Sequence, residues 1–127
     1  MPFYILFFFL KSLNIAKKSD IIHAQWIIPT GFIGVIIKKL YNKPLIITVR
    51  GAGLNLSVGS FIWKYFLRYT LKNCDFITAN NLEHIRLLKK LNVPENKIKY
   101  TPNGIDYNLY KKDNKSKARK KLGLGKE

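Results

Sequence analysis

The stretch that decides the fold is Leu45-Ile46-Ile47-Thr48-Val49, which follows Pro44 and precedes Arg50-Gly51. Its near-continuous apolar character is typical of a parallel strand that is buried on both faces. Three further segments rich in β-branched or aromatic residues are also predicted to be strands, at residues 20–24, 75–79 and 97–101. Together these segments predict a sheet of four strands.

Helical patterns separate the predicted strands. Thr30 is placed to cap the first helix, and an aromatic-rich second helix is predicted over residues 61–72. A third helix is capped by Asn80 or Asn81, and Glu83 stands three residues after Asn80 as in a capping box. Strands that alternate with helices imply parallel pairing and right-handed crossovers. The order therefore predicts an α/β fold, a Rossmann-like three-layer sandwich with a parallel sheet.

The composition fits a folded domain with a strong positive charge. The 127 residues include 23 Lys and Arg against 7 Asp and Glu, which gives a net charge of +16, and 47% are hydrophobic. This apolar share predicts a packed core rather than disorder. The single cysteine, Cys74, excludes an internal disulfide and a cysteine zinc cluster, and it indicates an intracellular protein. Two histidines disfavour a histidine metal site.

The chain opens with an unbroken apolar run over residues 3–10. The run is too short for a membrane-spanning helix, which needs about 20 residues. A signal peptide requires positive charge before the run, whereas Lys11 follows it. Two interpretations remain: a helix that packs on the core, or contact of Phe7, Phe8 and Phe9 with a membrane surface.

Open α/β sheets bind ligands beyond the carboxyl ends of their strands. Four loops occupy that position here, at residues 25–31, 50–55, 80–81 and 102–106. The loop that begins with Arg50 lacks the Gly-Lys-Ser/Thr ending of a P-loop and the third glycine of a dinucleotide site. The loop is therefore a glycine-bearing turn, and its Arg50 either binds a phosphate or carboxylate through two hydrogen bonds or is solvated.

Few other residues suggest chemistry. His23 lies within the first predicted strand, where a lone histidine is more often a hydrogen-bonded core residue than a base. The ring of Trp26 either forms the floor of a sugar-binding pocket or packs in the hydrophobic core. His84, on a predicted helix, is expected to be solvated. Asp20 and Asp75 begin strands, at the end opposite the ligand crevice, so neither is a good catalytic candidate.

Five segments, in order, resemble motifs of the family 4-like retaining glycosyltransferases of GT-B fold. Residues 20–26 (DIIHAQW) resemble D-I-I-H-A-H-W, and residues 43–51 (KPLIITVRG) resemble K-P-x-V-x-T-x-H-G. The others are residues 75–80 against D-x-V-I-A-x-S, residues 93–98 with 101–106 against V-P-x-x-K-I … I-P-N-G-V-D, and residues 118–124 against A-R-x-x-L-G-L.

This resemblance implies two Rossmann-like domains that face each other, with the acceptor bound mainly by the N-terminal one. The other domain binds the nucleotide-sugar donor, which is a substrate, and neither a cofactor nor a metal is expected. It implies that residues 1–110 are the later part of an acceptor-side domain. Residues 111–127 hold eight Lys or Arg and two Asp or Glu, and are expected to form a basic linker before a missing donor domain. The chain alone is then expected to be inactive, as a fragment, a split subunit or a remnant.

The resemblance also implies site residues, although none with a certain catalytic role. The expected acceptor-binding residues are His23, Gln25, Trp26, Thr30, Arg50, Gly51 and Asn80, and the expected interdomain-cleft residues are Asn103 and Gly104. Gln25 and Arg50 stand where the family has histidines, and an arginine stays protonated and cannot act as a base. Asn103-Gly104 agrees with the interdomain turn of the family, where a glycine permits unusual backbone angles.

The leading hypothesis is a hexosyl-type transferase that assembles a glycan or lipid-linked glycan at the cytoplasmic membrane face. Anionic lipid attracts basic segments, which supports that location, although the lysines could equally serve general solubility. The alternative is a basic nucleic-acid-binding protein, since +16 gives salt-dependent affinity for phosphates, but no recognised motif accompanies the charge. A third hypothesis is a noncatalytic partner of a separately encoded donor domain.

Overall fold

The computed structural model describes residues 2–51, 54, 61–110, 112 and 114–125. Within them lie four strands: β1 (Ile22–Gln25), β2 (Leu45–Val49), β3 (Phe76–Ala79) and β4 (Ile98–Tyr100). The α-helices are α1 (Pro2–Lys17), α2 (Phe32–Tyr41), α3 (Phe61–Asn73), α4 (Leu82–Lys90) and α5 (Lys115–Lys121). A π-helical turn (Ile27–Gly31) and a 3-10 turn (Glu95–Lys97) complete the described elements.

The strands form one parallel sheet in the order β1-β2-β3-β4. Its register places Ala24 beside Ile47, Ile47 beside Ile77, and Ile77 beside Ile98. Helices connect the strands and flank the sheet, so the predicted Rossmann-like α/β fold with a parallel sheet is confirmed.

One face of the sheet carries the core. Leu45, Ile47 and Val49 alternate along β2 and are essentially fully buried. The facing helices contribute Val35 from α2, Leu67 from α3 and Leu88 from α4 to the same cluster. Burying each such side chain stabilises the fold by about 1.5–3 kcal/mol. Gly34 lets α2 approach closely, since a Cβ there would lie 2.8 Å from Leu45 Cδ1.

The opposite face of the sheet is open in the described part of the chain. One row across it consists of His23, Ile46 and Phe76, and the next of Gln25, Thr48, Thr78 and Lys99. These side chains are half-buried or exposed. The helices that pack on the described strands thus form one outer layer, and the second outer layer expected of a three-layer sandwich is not formed by the described helices.

Helix α1 packs beside α2. Phe8 and Phe9 lie against a small cluster that includes Ile33 and Ile37, which confirms the core-packing interpretation for these two rings. Phe7 instead is 64% exposed. Among the helices described here, none has the length and apolar content needed to cross a membrane.

The cap predicted for α2 is wrong. Gly31, rather than Thr30, precedes α2, and the Thr30 hydroxyl donates to backbone carbonyls instead of accepting from the helix. Thr30 lies within the π-helical turn, where its hydroxyl donates to the carbonyl oxygens of Gln25 and Trp26. The cap of α4 is Asn81, whose side chain accepts from Glu83 N at 2.7 Å, so one of the two predicted caps is confirmed, whereas the capping box from Asn80 does not form.

The histidines exchange their expected environments. His23 is exposed on the open face of the sheet, so its expected place in the core is wrong. His84, expected to be solvated, is only 6% exposed because it lies one turn before the buried Leu88 on the inner face of α4. Among the described residues, His84 Nδ1 has no hydrogen-bond partner.

The basic C-terminal segment contains a helix. Asn114 caps the exposed α5 by accepting from Ser116 N at 2.9 Å. Lys111, Asp113 and residues 126–127 of the predicted linker lie outside the described residues, as do Ala52, Gly53 and Asn55 of the predicted glycine-bearing loop. The domain boundary after residue 110 stays a prediction.

Asp75 joins three elements at the start of β3. Its carboxylate accepts from Leu45 N at 2.7 Å and forms an ion pair with Lys38 of α2. Burial raises the pKa of Asp75, but the hydrogen bonds from Lys38 and Leu45 N outweigh this effect, so the pKa lies below its ordinary value. Asp75 is therefore a structural residue, in agreement with its exclusion from the ligand crevice.

We expect Asp75→Asn to lower the free energy of unfolding at pH 7 by about 1 kcal/mol, because the charged acceptor of two bonds is lost. A carboxyl whose pKa is lowered by folding stabilises above its unfolded pKa and loses this effect as the pH falls through its folded value. The difference from the unsubstituted chain should therefore shrink toward pH 3 in urea titrations. Asp20→Asn, at an exposed carboxylate, is the control, and a deficit that stays constant with pH would contradict the assignment.

Candidate functional site

A polar groove of about 280 Å³ lies on the open face, at the carboxyl ends of the strands. Its lining residues are His23, Gln25, Thr48, Arg50, Thr78, Asn80, Thr101 and Asn103. The structure thus brings together His23, Gln25, Arg50, Asn80 and Asn103 from the residues expected at the site. The groove with its eight lining residues is called the polar groove below.

Strand alternation explains why these side chains meet. Residues two apart on a strand point to the same face, which places Gln25 with His23, and Arg50 with Thr48. The parallel register then sets Gln25, Thr48 and Thr78 side by side across three strands. Because parallel strands end at one edge of the sheet, polar residues at their ends form a continuous surface.

A chain of hydrogen bonds crosses the polar groove. Arg50 Nε donates to Gln25 Oε1 at 2.8 Å, and Gln25 Nε2 lies 3.2 Å from His23 Nε2. His23 Nε2 also lies 2.7 Å from Thr48 Oγ1, which is 2.7 Å from Thr78 Oγ1. The chain connects β1, β2 and β3 and leaves its members accessible from the open side.

The arginine fixes the direction of this chain. Arginine has donors only, so Gln25 must turn its carbonyl oxygen toward Arg50 and its NH2 group toward His23. His23 Nε2 therefore accepts from Gln25, and the Thr48 hydroxyl shares the same single lone pair. A neutral imidazole with an acceptor at Nε2 carries its proton on Nδ1. His23 thus presents Nδ1–H as a donor, while its Nε2 lone pair is engaged.

Among the described residues that line the groove, Arg50 is the one permanent cation and none is a carboxylate. The threonine hydroxyls and the amides of Asn80 and Asn103 each donate and accept. Asn80 Nδ2 approaches Asn103 Oδ1 at 3.4 Å, a long contact that links the end of β3 to the loop after β4. Such a surface suits a ligand that is rich in hydroxyls or bears an anionic group.

Other expected site residues lie outside the groove lining. Trp26 is 47% exposed, and its backbone adopts φ 83°, a conformation that disfavours side chains. Its carbonyl accepts from Gly31 N at 3.1 Å and from Thr30 Oγ1 at 3.0 Å. Gly51 has φ +38°, so a glycine is favoured there, whereas Gly104 has no positive φ.

Three lining residues were not expected from the sequence: Thr48, Thr78 and Thr101. The alternation of β2 and β3 contained the signal for two of them. Thr48 precedes Arg50 by two residues, and Thr78 precedes Asn80 by two, so each pair shares a face. The loops after the strands therefore carry only part of the groove lining, and the last strand residues carry the rest.

The model of Glycosyltransferase Family 4 matches residues 2–109. The chain belongs to this family. Among curated proteins, an uncharacterized glycosyltransferase of Methanocaldococcus jannaschii is 31% identical over 67 residues, which are 53% of this chain and 19% of that protein.

Solved structures of Anabaena Alr3699/HepE share the fold of this family member. Its complex with UDP-glucose and its complex with UDP each match with a TM-score of 0.74 and 22% identity. The match covers 91% of this chain and 32% of HepE, so the chain spans about a third of that structure. At this identity the likeness concerns the fold alone.

We expect His23 to be the Nδ1–H tautomer in the folded chain, and histidine ¹⁵N shifts measured by NMR at neutral pH report this directly. Arg50→Met removes the donor that orients Gln25, so the Nε2–H tautomer should then become populated. The resonances of His84, buried on the inner face of α4, should stay unchanged and serve as the control. A dominant Nε2–H form in the unsubstituted chain would contradict the proposed direction of the hydrogen bonds.

Proposed function

We propose that the polar groove binds the acceptor in a retaining transfer of a hexosyl group from a nucleotide sugar to a glycan or lipid-linked acceptor. The observation that carries this proposal is the hydrogen-bond chain from Arg50 to Thr78, exposed at the carboxyl ends of parallel strands. Ligands of open α/β sheets bind at this edge. Membership of a glycosyltransferase family supplies the reaction class.

The groove is suited to hold an acceptor rather than to break a bond. Arg50 offers a fixed cation for a phosphate or carboxylate on the acceptor. The hydroxyls of Thr48 and Thr78 and the amides of Asn80 and Asn103 match sugar hydroxyls, which also donate and accept. Holding the acceptor in one orientation lowers the entropic part of the barrier to transfer.

The donor needs residues beyond this groove. HepE has been crystallised with UDP-glucose, and this chain covers 32% of HepE. We therefore propose that the 127-residue chain works with a donor-binding domain, either joined to it or separately encoded, and transfers no sugar alone. The proposed place of action is the cytoplasmic face of a membrane, where lipid-linked acceptors are accessible.

An NMR titration of the ¹⁵N-labelled chain tests the groove. Geranyl phosphate is the acceptor probe, and we expect it to shift the amides of residues 23–25, 48–50 and 78–80. Arg50→Met should weaken this binding about tenfold, because a charge-assisted hydrogen bond is lost. Arg86→Met, at an exposed arginine on α4, is the matched control and should bind as the unsubstituted chain does.

Shifts confined to other surfaces, or an equal loss in Arg86→Met, would refute the groove as the acceptor site. Incubation of the chain with UDP-glucose and geranyl phosphate tests the second part of the proposal. Sugar transfer or donor hydrolysis by the purified 127-residue chain would show that no separate donor domain is required.

A further inference from the structure

Two adjoining grooves lie along the outward side of α3. The first has a volume of about 390 Å³ and is lined by Phe61, Lys64, Tyr65, Arg68, Tyr69 and Lys72. The second, of about 470 Å³, shares Arg68 and Lys72 with the first and reaches Lys97, just before β4. Among the described residues that line the two grooves, four are cations and none is a carboxylate. The pair of grooves is called the α3 groove below.

Three cations of the α3 groove form no ion pair in the described part of the chain. Lys64, Arg68 and Lys72 recur every four residues, so they share one side of the helix, and all three are exposed. Neither of the ion pairs among the described residues includes them. Like charges at this spacing repel each other and destabilise a helix. An anion that binds along this row therefore removes an unfavourable interaction.

The fourth cation is positioned by the backbone. Lys97 Nζ donates to Cys74 O at 3.0 Å, and an ammonium group has two further protons to donate. The carboxylate of Glu95, two residues earlier, pairs with Lys89 at 2.8 Å instead of with Lys97. The positive charge of Lys97 is thus fixed beside the groove and is available to a ligand.

Two tyrosine rings lie beside the row of cations. Tyr65 contacts Phe66 edge to face, with ring centroids 5.8 Å apart, and Tyr69 OH accepts a hydrogen bond from Lys39 Nζ at 2.7 Å. These contacts hold the rings in place, although Tyr65 is 66% exposed. Aromatic rings that line a groove offer an apolar surface to a ligand, such as the C–H face of a sugar ring. The α3 groove therefore combines positive charge with ordered ring surface.

We propose that the α3 groove binds the sugar chain of an acidic glycan acceptor, in which successive sugars carry a carboxylate or phosphate. The three cations of the row are about 6 Å apart along the helix axis, so acidic groups on successive sugars can each approach one of them. The sugar rings pack on Tyr65 and Tyr69. This inference rests on the proposed function, in which the acceptor is a glycan, and it adds a second contact for that acceptor outside the polar groove.

Helix α3 runs from the edge of the sheet where the polar groove lies. It follows β2 and precedes the parallel strand β3, so it begins near the carboxyl ends of the strands and returns to their amino ends. At this return, Asp75 N donates to Leu45 O at 3.0 Å, where β2 begins. The Phe61 end of the α3 groove therefore lies toward the carboxyl edge. The two sites are on opposite faces of the sheet, so a glycan that occupies both crosses this edge.

Other occupants match the α3 groove less well. A second copy of the chain carries the same net charge of +16, so like charges oppose its approach. A single-stranded nucleic acid could place phosphates on the cations and bases on the tyrosines. Membership of a glycosyltransferase family favours a glycan over a nucleic acid. An oligonucleotide is therefore included in the test.

Isothermal titration calorimetry of the full chain with octagalacturonate tests the proposal. This probe carries one carboxylate on each sugar, and its methyl ester has the same rings without the charge. We expect the acid to bind about tenfold more tightly than the ester. Lys64→Gln/Arg68→Gln/Lys72→Gln should weaken binding of the acid by a factor on the order of ten to a hundred, because three exposed charge contacts are lost.

The matched control removes the same charge from another exposed helix. Lys115→Gln/Lys117→Gln/Lys120→Gln on α5 should bind octagalacturonate within about twofold of the unsubstituted chain, since distant charges are screened. An oligothymidylate of the same length is the nucleic-acid comparison, and it should bind more weakly than octagalacturonate at equal ionic strength. Both comparisons separate a site on α3 from general attraction of anions to a chain of charge +16.

A tyrosine substitution gives a second measurement that leaves the charge unchanged. Tyr65→Ala should weaken octagalacturonate binding about fivefold, because packing of a sugar ring is lost. Tyr107→Ala, at a tyrosine that is 81% exposed after β4, is the control and should bind as the unsubstituted chain does. Circular dichroism of each variant checks that the fold is retained.

Equal losses in the α3 and α5 variants, equal affinities for the acid and its methyl ester, or absence of binding would each overturn the proposal. So would tighter binding of the oligothymidylate, or full affinity in Tyr65→Ala. Geranyl phosphate has no sugar chain and reports on the polar groove. Failure of that titration with intact octagalacturonate binding would therefore reject the polar groove alone, and the reverse result would reject the α3 groove alone.

Discussion

The structure depends on the burial of alternate side chains along β2. Leu45, Ile47 and Val49 are all but inaccessible to water, and the helices pack against them. Because successive residues of a strand point to opposite faces, this burial forces Thr48 and then Arg50 onto the other face. Pairing with β1 and β3 repeats the division, so one constraint creates both the core and the polar groove.

Much of this arrangement follows from local sequence. The bounds of β2 agree with its apolar run, and the site residues at the ends of three strands meet because parallel strands share their carboxyl edge. The apolar pattern does not show which row of a short strand faces the core, so it leaves His23 open between a core position and the acceptor site. The burial of His84 and the use of Thr30 in a turn depend on packing between elements, which no single segment encodes.

The basic residues of the chain lie in different structural settings. Arg50 lies in the polar groove, where it orients Gln25 and through it His23. Lys38 supports the sheet through Asp75. Arg68 and Lys72 of α3 lie beside Leu91 and Asn92 after α4, and the cations of α5 lie on an exposed helix after the sheet. A net charge alone therefore indicates no single partner, whereas the positions of the basic residues distinguish a groove lining, a structural ion pair and exposed helix surfaces.

The most direct test of the account is the register of the sheet in solution, measured by methyl NOEs of the labelled chain. The account predicts contacts among Ala24, Ile47 and Ile77 and from them to Leu67 and Leu88, together with a separate contact between the Thr48 and Thr78 methyls. A shift of one residue would exchange the faces. Contacts from Thr48 to Leu67 or Leu88 would thus contradict the account, since the polar groove would then not exist.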